Sequence, residues 1–490
     1  MKMNTFSGDQ IAQVNNPDPF AVPVWRSPVY HTPGWIITIV QAARGLKALG
    51  AFVGRHPLAT LTAVLVGVAW RQYGWPGPLT LTAVIVAVLG VWWWRWRASF
   101  RRHVLVRVLG QWRRWHYQRH WTAVMTIGRL APLYQGRLLL PVLGKITSTP
   151  YTDRVLTGIV SGQSADDFTR RADALAHGFG ALLCRVRTGR PGWLVLEFVR
   201  RDALAAIIPA LPIPAHVNLK ALIVGRCEDG SPWTIRLHGT HLLVAGSTGA
   251  GKGSILWGLI RAMLPAMRAG LVRVLGADPK RMELSYGREI FDTYGQYARD
   301  ADGIAVMLAR AVQEMQDRAE ALGGKQRDHT PTAEHPFVVI IVDEVAFLTA
   351  YHPSKTLRDQ IKADLATLTT QGRAVGYCVV AALQDPRKEV MSIRNLFPDR
   401  IAMRLDEPEQ VDMVLGDGAR DRGAAAELIS ADPATGAGVA FVRLESDPDP
   451  VRVRAAWVSD PDIRAMADPS DPPTVVDAGE PLAVGAGAAV

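Results

Sequence analysis

The sequence predicts an α/β fold: a parallel-sheet domain with a small α/β module before it and an N-terminal two-helix transmembrane hairpin. Three observations predict it. Leu242–Ala245 reads as a short buried strand leading into Gly246-Ser-Thr-Gly-Ala-Gly-Lys252 and then a helix, with Ile255, Leu259, Met263 and Leu264 at helical spacing. Phe337–Val342 is a continuous apolar run, as a strand buried on both faces should be, and it ends in Asp343-Glu344. Pro57–Tyr73 and Trp75–Trp94 are apolar runs, the second of about 20 residues without a charge, long enough to cross a bilayer.

Strand, glycine loop, lysine and helix form the phosphate-cradling arrangement of a P-loop. Glycines let backbone N–H groups close on phosphates, and the helix N-terminus adds partial positive charge. Gly246, Ser247, Thr248, Gly249, Ala250, Gly251, Lys252, Gly253 and Ser254 are the candidate nucleotide-binding residues, with Lys252 reaching the β- and γ-phosphates of ATP. The motif departs at one position. The residue after the lysine ordinarily supplies a hydroxyl to Mg²⁺; here it is Gly253, and the hydroxyl follows at Ser254. One residue along a helix is a rotation of about 100°, so Ser254 is a metal-ligand candidate only with some rearrangement. Replacing Gly253 by Ser or Thr is expected to keep or raise activity if Mg²⁺ coordination is merely weakened.

An acid pair at the C-terminal end of a buried strand, about 90 residues after a P-loop, is the Walker B pattern. Asp343 is the expected Mg²⁺ holder and Glu344 the general base that polarises the attacking water. Gly376–Leu383 is the next buried strand and ends in Gln384, placed to sense the γ-phosphate or orient the water. Arg400 is the arginine-finger candidate offered to a neighbouring subunit, with Arg373, Arg394 and Arg404 as alternatives.

Charge is divided unevenly. The 490-residue chain carries a net +10, yet Pro19–Thr152 holds 16 Lys and Arg and no Asp or Glu, which leaves the remainder mildly acidic. Such asymmetry points to a membrane or nucleic-acid surface. Basic residues flank the apolar pair on both sides, so both flanks are expected in the cytoplasm, making a multi-pass anchor of the cell membrane. The stretch Arg95–Arg129, interleaved with Trp96, Trp112, Trp115, Tyr117 and Trp121, reads as juxtamembrane and lipid-bound, with DNA contact as the alternative. Three widely separated cysteines fit neither a metal site nor a disulfide framework.

The organisation expected is a cytoplasmic segment (1–56), the hairpin (57–94), a basic juxtamembrane region (95–150), a small α/β module (151–215), the P-loop domain (216–457) and a disordered Asp/Pro/Gly/Ala-rich tail (458–490). Within the N-terminal segment, Trp35–Val53 reads as an amphipathic helix lying on the membrane surface.

Gly239–Ser254, Asp278-Pro-Lys280, Val342-Asp-Glu344, Gly372-Arg-Ala-Val-Gly376 and Ala382-Leu-Gln384 together resemble the FtsK/SpoIIIE family of membrane-anchored DNA pumps, most of all its actinomycete plasmid-transfer (Tra) branch. The resemblance spans about residues 150–457. It implies a RecA-like P-loop motor domain, a homo-hexameric ring with ATP between subunits, double-stranded DNA threaded through it, and ATP with Mg²⁺ as cofactors. The division pumps carry a C-terminal winged-helix module for which no helical region follows Trp457, so sequence-specific loading is left to a separate DNA-recognition protein. Two rivals stand beside this reading. A protein-exporting ATPase of type VII secretion shares the fold but strings several motor domains together. A non-hydrolysing membrane scaffold finds support in Gly253 alone.

Overall fold

The computed structural model describes residues 65–468, apart from 69, 101–103, 105, 135–136 and 387–390. The chain forms two compact units, one ending at Arg102 and one starting at His103.

In the first unit Gly74 takes φ +63°, which turns the chain from the helical residues Trp70–Tyr73 into α1 (Pro76–Arg95). At its end the guanidinium groups of Arg95 and Arg97 lie over the rings of Trp96 and Trp93, at 5.6 and 5.2 Å. Among the described residues α1 is the one helix long and apolar enough to cross a membrane, where two had been expected. Much of the run Pro57–Tyr73, and all of Trp35–Val53, lies outside the described residues.

The second unit opens with α2 (Val106–Ile127), followed by β1 (Val142–Ser148), β2 (Thr152–Gly158), β3 (Leu183–Thr188) and β4 (Trp193–Val199). These strands form an antiparallel sheet in the order β1-β2-β4-β3. Tyr117, Trp121 and Met125, four residues apart, make a buried stripe along α2 that packs on Phe168, Phe179 and Phe198. The basic stretch read as juxtamembrane therefore supplies one wall of the small module. Asp153, fully buried, fixes that wall: it accepts hydrogen bonds from Arg113 (2.6 Å), Arg200 (2.8 Å) and Tyr117 (3.1 Å).

The large sheet is built from β5 (Leu222–Cys227), β6 (Pro232–Ile235), β7 (Leu242–Ala245), β8 (Val272–Ala277), β9 (Gly295–Ala298), β10 (Phe337–Val342), β11 (Tyr377–Leu383), β12 (Asp399–Met403), β13 (Val439–Leu444) and β14 (Asp447–Trp457). Its order is β9-β8-β10-β11-β7-β12-β13-β14-β5-β6, with Ile208–Pro209 pairing on β14. From β9 to β12 every pairing is parallel; from β12 to β6 every pairing is antiparallel. The pair β5–β6 is a hairpin across Glu228-Asp-Gly230.

Both faces of the parallel half are covered. On one lies α3 (Lys252–Arg268), through Ile255, Leu256, Leu259 and Met263. On the other lie α4 (Ala301–Leu322) and α5 (Lys355–Gln371), through Leu308, Met315, Ile361 and Leu365. Burial on two faces is why β7, β10 and β11 read as unbroken apolar runs.

The expected disorder from residue 458 is corrected over its first turns. Asp460–Ala467 forms α6, capped by Ser459 and Asp462 and anchored by buried Ile463 and Met466. Its Asp and Pro residues belong to the helix start, where both are favoured. Residues 469–490 lie outside the described part.

Candidate active site

The five strands β8, β10, β11, β7 and β12 run parallel side by side, so their C-terminal ends share one edge of the sheet. That edge carries Asp278, Asp343 and Glu344, Gln384, the P-loop and Arg404 in turn. In open α/β sheets ligands bind in the crevice beyond these ends. The strand ending in Gln384 lies between the strands of the P-loop and of the acid pair.

The loop is tied to both neighbouring strands. Gly246 N–H donates to Leu383 O (3.1 Å) and Ser247 N–H to Arg404 O (2.8 Å). Gly251, at φ +93°, must be glycine: a Cβ there would meet the backbone nitrogen of Gly438 at 2.6 Å. Lys252, 8 % exposed, donates from Nζ to the carbonyls of Gly246 (2.7 Å) and Ser247 (3.3 Å). Burial pulls its pKa down to about 8, against the pull of Glu344 and Asp343. Thr248 Oγ1 donates to Gln384 Oε1 (3.3 Å), which connects the loop to the expected γ-phosphate sensor.

The acid pair is deeply placed. Asp343 N–H donates to Ala277 O (3.0 Å), setting Asp343 beside the end of β8. Burial, then the charges of Asp278, Glu283 and Glu344, push the Asp343 carboxyl up to about 7. Glu344, 4 % exposed, accepts from Lys280 Nζ at Oε2 (2.8 Å) and from Gln384 N–H at Oε1 (3.4 Å). Asp278 is committed to the backbone, accepting from Leu284 N–H (3.1 Å) and Ser285 N–H (3.2 Å).

Four carboxylates, Asp278, Glu283, Asp343 and Glu344, thus face two ammonium groups, Lys252 and Lys280. The carboxylates of Asp343 and Glu283 beside the P-loop suit Mg²⁺, a hard cation that takes carboxylate oxygens and substrate phosphates. The glycine loop and Lys252 fit a nucleotide's phosphates.

Ser254 sits half-buried on the first turn of α3. Arg400 is 9 % exposed, with Nε on Phe397 O (2.8 Å), and burial with Arg443 and Arg394 nearby lowers its pKa to about 10. Arg373 pairs with Glu445 (2.8 Å) and Arg394 donates to Met413 O (2.6 Å). Only Arg404 of the four touches the P-loop, donating to Thr248 O (2.7 Å). Lys280 and Glu283 were not among the expected site residues. The signal that marks them is Asp278-Pro-Lys-Arg-Met-Glu283, a charged run immediately after the strand next to the Walker B strand.

The family model for FtsK/SpoIIIE matches residues 214–428, which contain the P-loop, Asp278, Lys280, Glu283, Asp343, Glu344, Gln384 and Arg404. This segment is an FtsK/SpoIIIE family domain. Among curated relatives, the chain is 28 % identical over 270 residues to the DNA translocase FtsK of Streptococcus pneumoniae, covering 51 % of this chain and 33 % of that protein. It is 26 % identical over 246 residues to the DNA translocase SpoIIIE of Bacillus subtilis, covering 46 % and 29 %. The match thus spans about a third of the length of these FtsK/SpoIIIE relatives. Among solved structures, the conjugation coupling protein TcpA of pCW3, in its monomer form with ATPγS, aligns at 18 % identity with a TM-score of 0.46, over 72 % of this chain and 98 % of that one. The cytoplasmic domain of the type VII secretion ATPase EccC of Thermomonospora curvata aligns at 20 % identity with a TM-score of 0.39, over 52 % and 32 %.

Proposed function

We propose that this chain is a membrane-anchored ATPase that pumps double-stranded DNA, of the plasmid-transfer (Tra) type, working in conjugative transfer of a plasmid or integrated element. The supporting observation is the meeting of Lys252, Asp343 and buried Glu344 at one sheet edge, inside an FtsK/SpoIIIE domain.

In this reading Lys252 and the N–H groups of the loop bind the phosphates of ATP. Asp343 holds Mg²⁺, which neutralises charge on the phosphates when bound. Glu344 accepts a proton from the attacking water, and Gln384 passes the state of the γ-phosphate to Thr248 and the loop. The working form is a homo-hexamer around the duplex, anchored through α1, with a separate protein choosing the DNA site. A mildly acidic motor does not oppose DNA binding, because a pore needs only a local basic lining.

The test is the ATPase rate of the full chain in detergent or nanodiscs, with linear duplex DNA, single-stranded DNA or no polymer, at one fixed low salt concentration. Stimulation by duplex above single strands is expected. Turnover indifferent to nucleic acid would favour protein export instead, and no turnover in an assembled protein would favour the scaffold.

A further inference from the structure

The P-loop position that ordinarily supplies a hydroxyl to the divalent cation is Gly253, but the space beside it is filled. A Cβ at Gly253 would collide with Oε1 of Glu283 and lie 3.0 Å from Oε2. The carboxylate is mounted there. Trp257, one turn along α3, donates from Nε1 to Glu283 Oε1 (3.2 Å). Trp257 is itself buried, its ring edge-on to Phe291 at 6.2 Å. The chain carrying Glu283 is pinned on its far side, where Leu284 and Ser285 donate their N–H groups to Asp278.

We propose that Glu283 takes the place of the missing P-loop hydroxyl as a ligand of the divalent cation, and that Gly253 is glycine because this carboxylate needs its space. The inference rests on the P-loop reading of the site. Ser254 lies about 100° further round the helix, away from the Gly253 position. Glu283 brings an oxygen to that position from a different element, and a charged one. The expectation that Gly253→Ser keeps or raises activity is accordingly reversed: the new side chain enters occupied space.

The test titrates Mg²⁺ against binding of a fluorescent ADP analogue to the full chain, a readout independent of turnover. Glu283→Gln is expected to raise the Mg²⁺ concentration for half-maximal binding by about tenfold or more. Binding without Mg²⁺ should hold or tighten, because a negative charge has been removed. Gly253→Ser alone should lose the Mg²⁺ dependence, while Gly253→Ser combined with Glu283→Ala restores a hydroxyl in cleared space and brings the midpoint back toward wild type. An unmoved midpoint in Glu283→Gln overturns the proposal. Equal loss of binding with and without Mg²⁺ also overturns it, since a purely structural Glu283 gives that result. Wild-type protein that binds no nucleotide in either condition overturns the P-loop reading itself.

Discussion

Lys280 Nζ stands 2.8 Å from Glu344 Oε2, so the proposed general base of the site is paired with a lysine from the neighbouring parallel strand's loop. Glu344 is almost fully buried, with Asp343 as its chain neighbour. Removing one partner of a buried pair leaves an uncompensated charge. Lys280→Ala is therefore expected to cut kcat by about 10–100-fold. Lys280→Arg should keep most of the rate. A kcat of Lys280→Ala near wild type would mean that Lys280 does not hold Glu344 in place.

Arg400 and Arg404 sit four residues apart and should fail in different ways. Arg400 is buried on carbonyls of its own domain, so Arg400→Ala should lower the unfolding midpoint and leave KM for ATP in the surviving folded protein near wild type. Arg404 holds the P-loop through Thr248 O, and its own carbonyl receives Ser247 N–H. Arg404→Ala should raise KM with little change in the midpoint. Mixed assemblies of Arg400→Ala and Glu344→Gln subunits check the remaining possibility: activity rescued by mixing would show an arginine acting across subunits.

The P-loop and the acid pair were legible because each is local: a strand, a glycine turn or a strand end, and the chemistry within a few residues. Gln384 was legible because buried strands in this class end at one edge. What was not legible depends on distance through space. Gly253 looks like a defect until Glu283, thirty residues on, is found in its side-chain position. Arg400 reads like any other strand-end arginine until its carbonyl partners are known. Two features carry local signals that composition masks. The four-residue repeat Arg113, Tyr117, Trp121, Met125 marks a helix face buried in the module, within a stretch whose high charge also suits a membrane surface. Ser459 with Asp462 three later announces a helix start inside a stretch whose composition suggests disorder.

The buried cluster around Asp153 gives a prediction independent of the active site. Asp153 receives two guanidinium groups and a phenol, and joins α2 to the small sheet. Asp153→Asn leaves Arg113 and Arg200 without their counter-ion, at a cost of about 3–5 kcal/mol. Limited proteolysis should then cut between residues 103 and 200 while residues 214–428 stay resistant. Cleavage spread evenly over both regions would show that the module does not melt by itself.

The dependence of stability on pH is set by groups that pull in opposite directions. His241 is buried with Nδ1 accepting Val379 N–H (3.0 Å), and burial, reinforced by Arg373, holds its pKa down to about 4. Burial and then Arg318 hold His329 down to about 4 as well. A depressed histidine contributes stability that is whole above about pH 6.5 and is lost as the pH falls toward 4. For His241 the loss reaches about 2 kcal/mol by pH 5, from 1.36 kcal/mol per unit. Asp343 works the other way. Its raised pKa means that the folded state takes up a proton first, so stability is gained as the pH falls below about 7. The two histidines together lose more than Asp343 gains, so urea midpoints of wild type should fall modestly between pH 7 and 5. Asp343→Asn removes the opposing group, and its midpoints should fall steeply over the same range. If Asp343→Asn and wild type follow the same course, the Asp343 carboxyl does not titrate in this window, and its burial beside Asp278, Glu283 and Glu344 does not govern its charge.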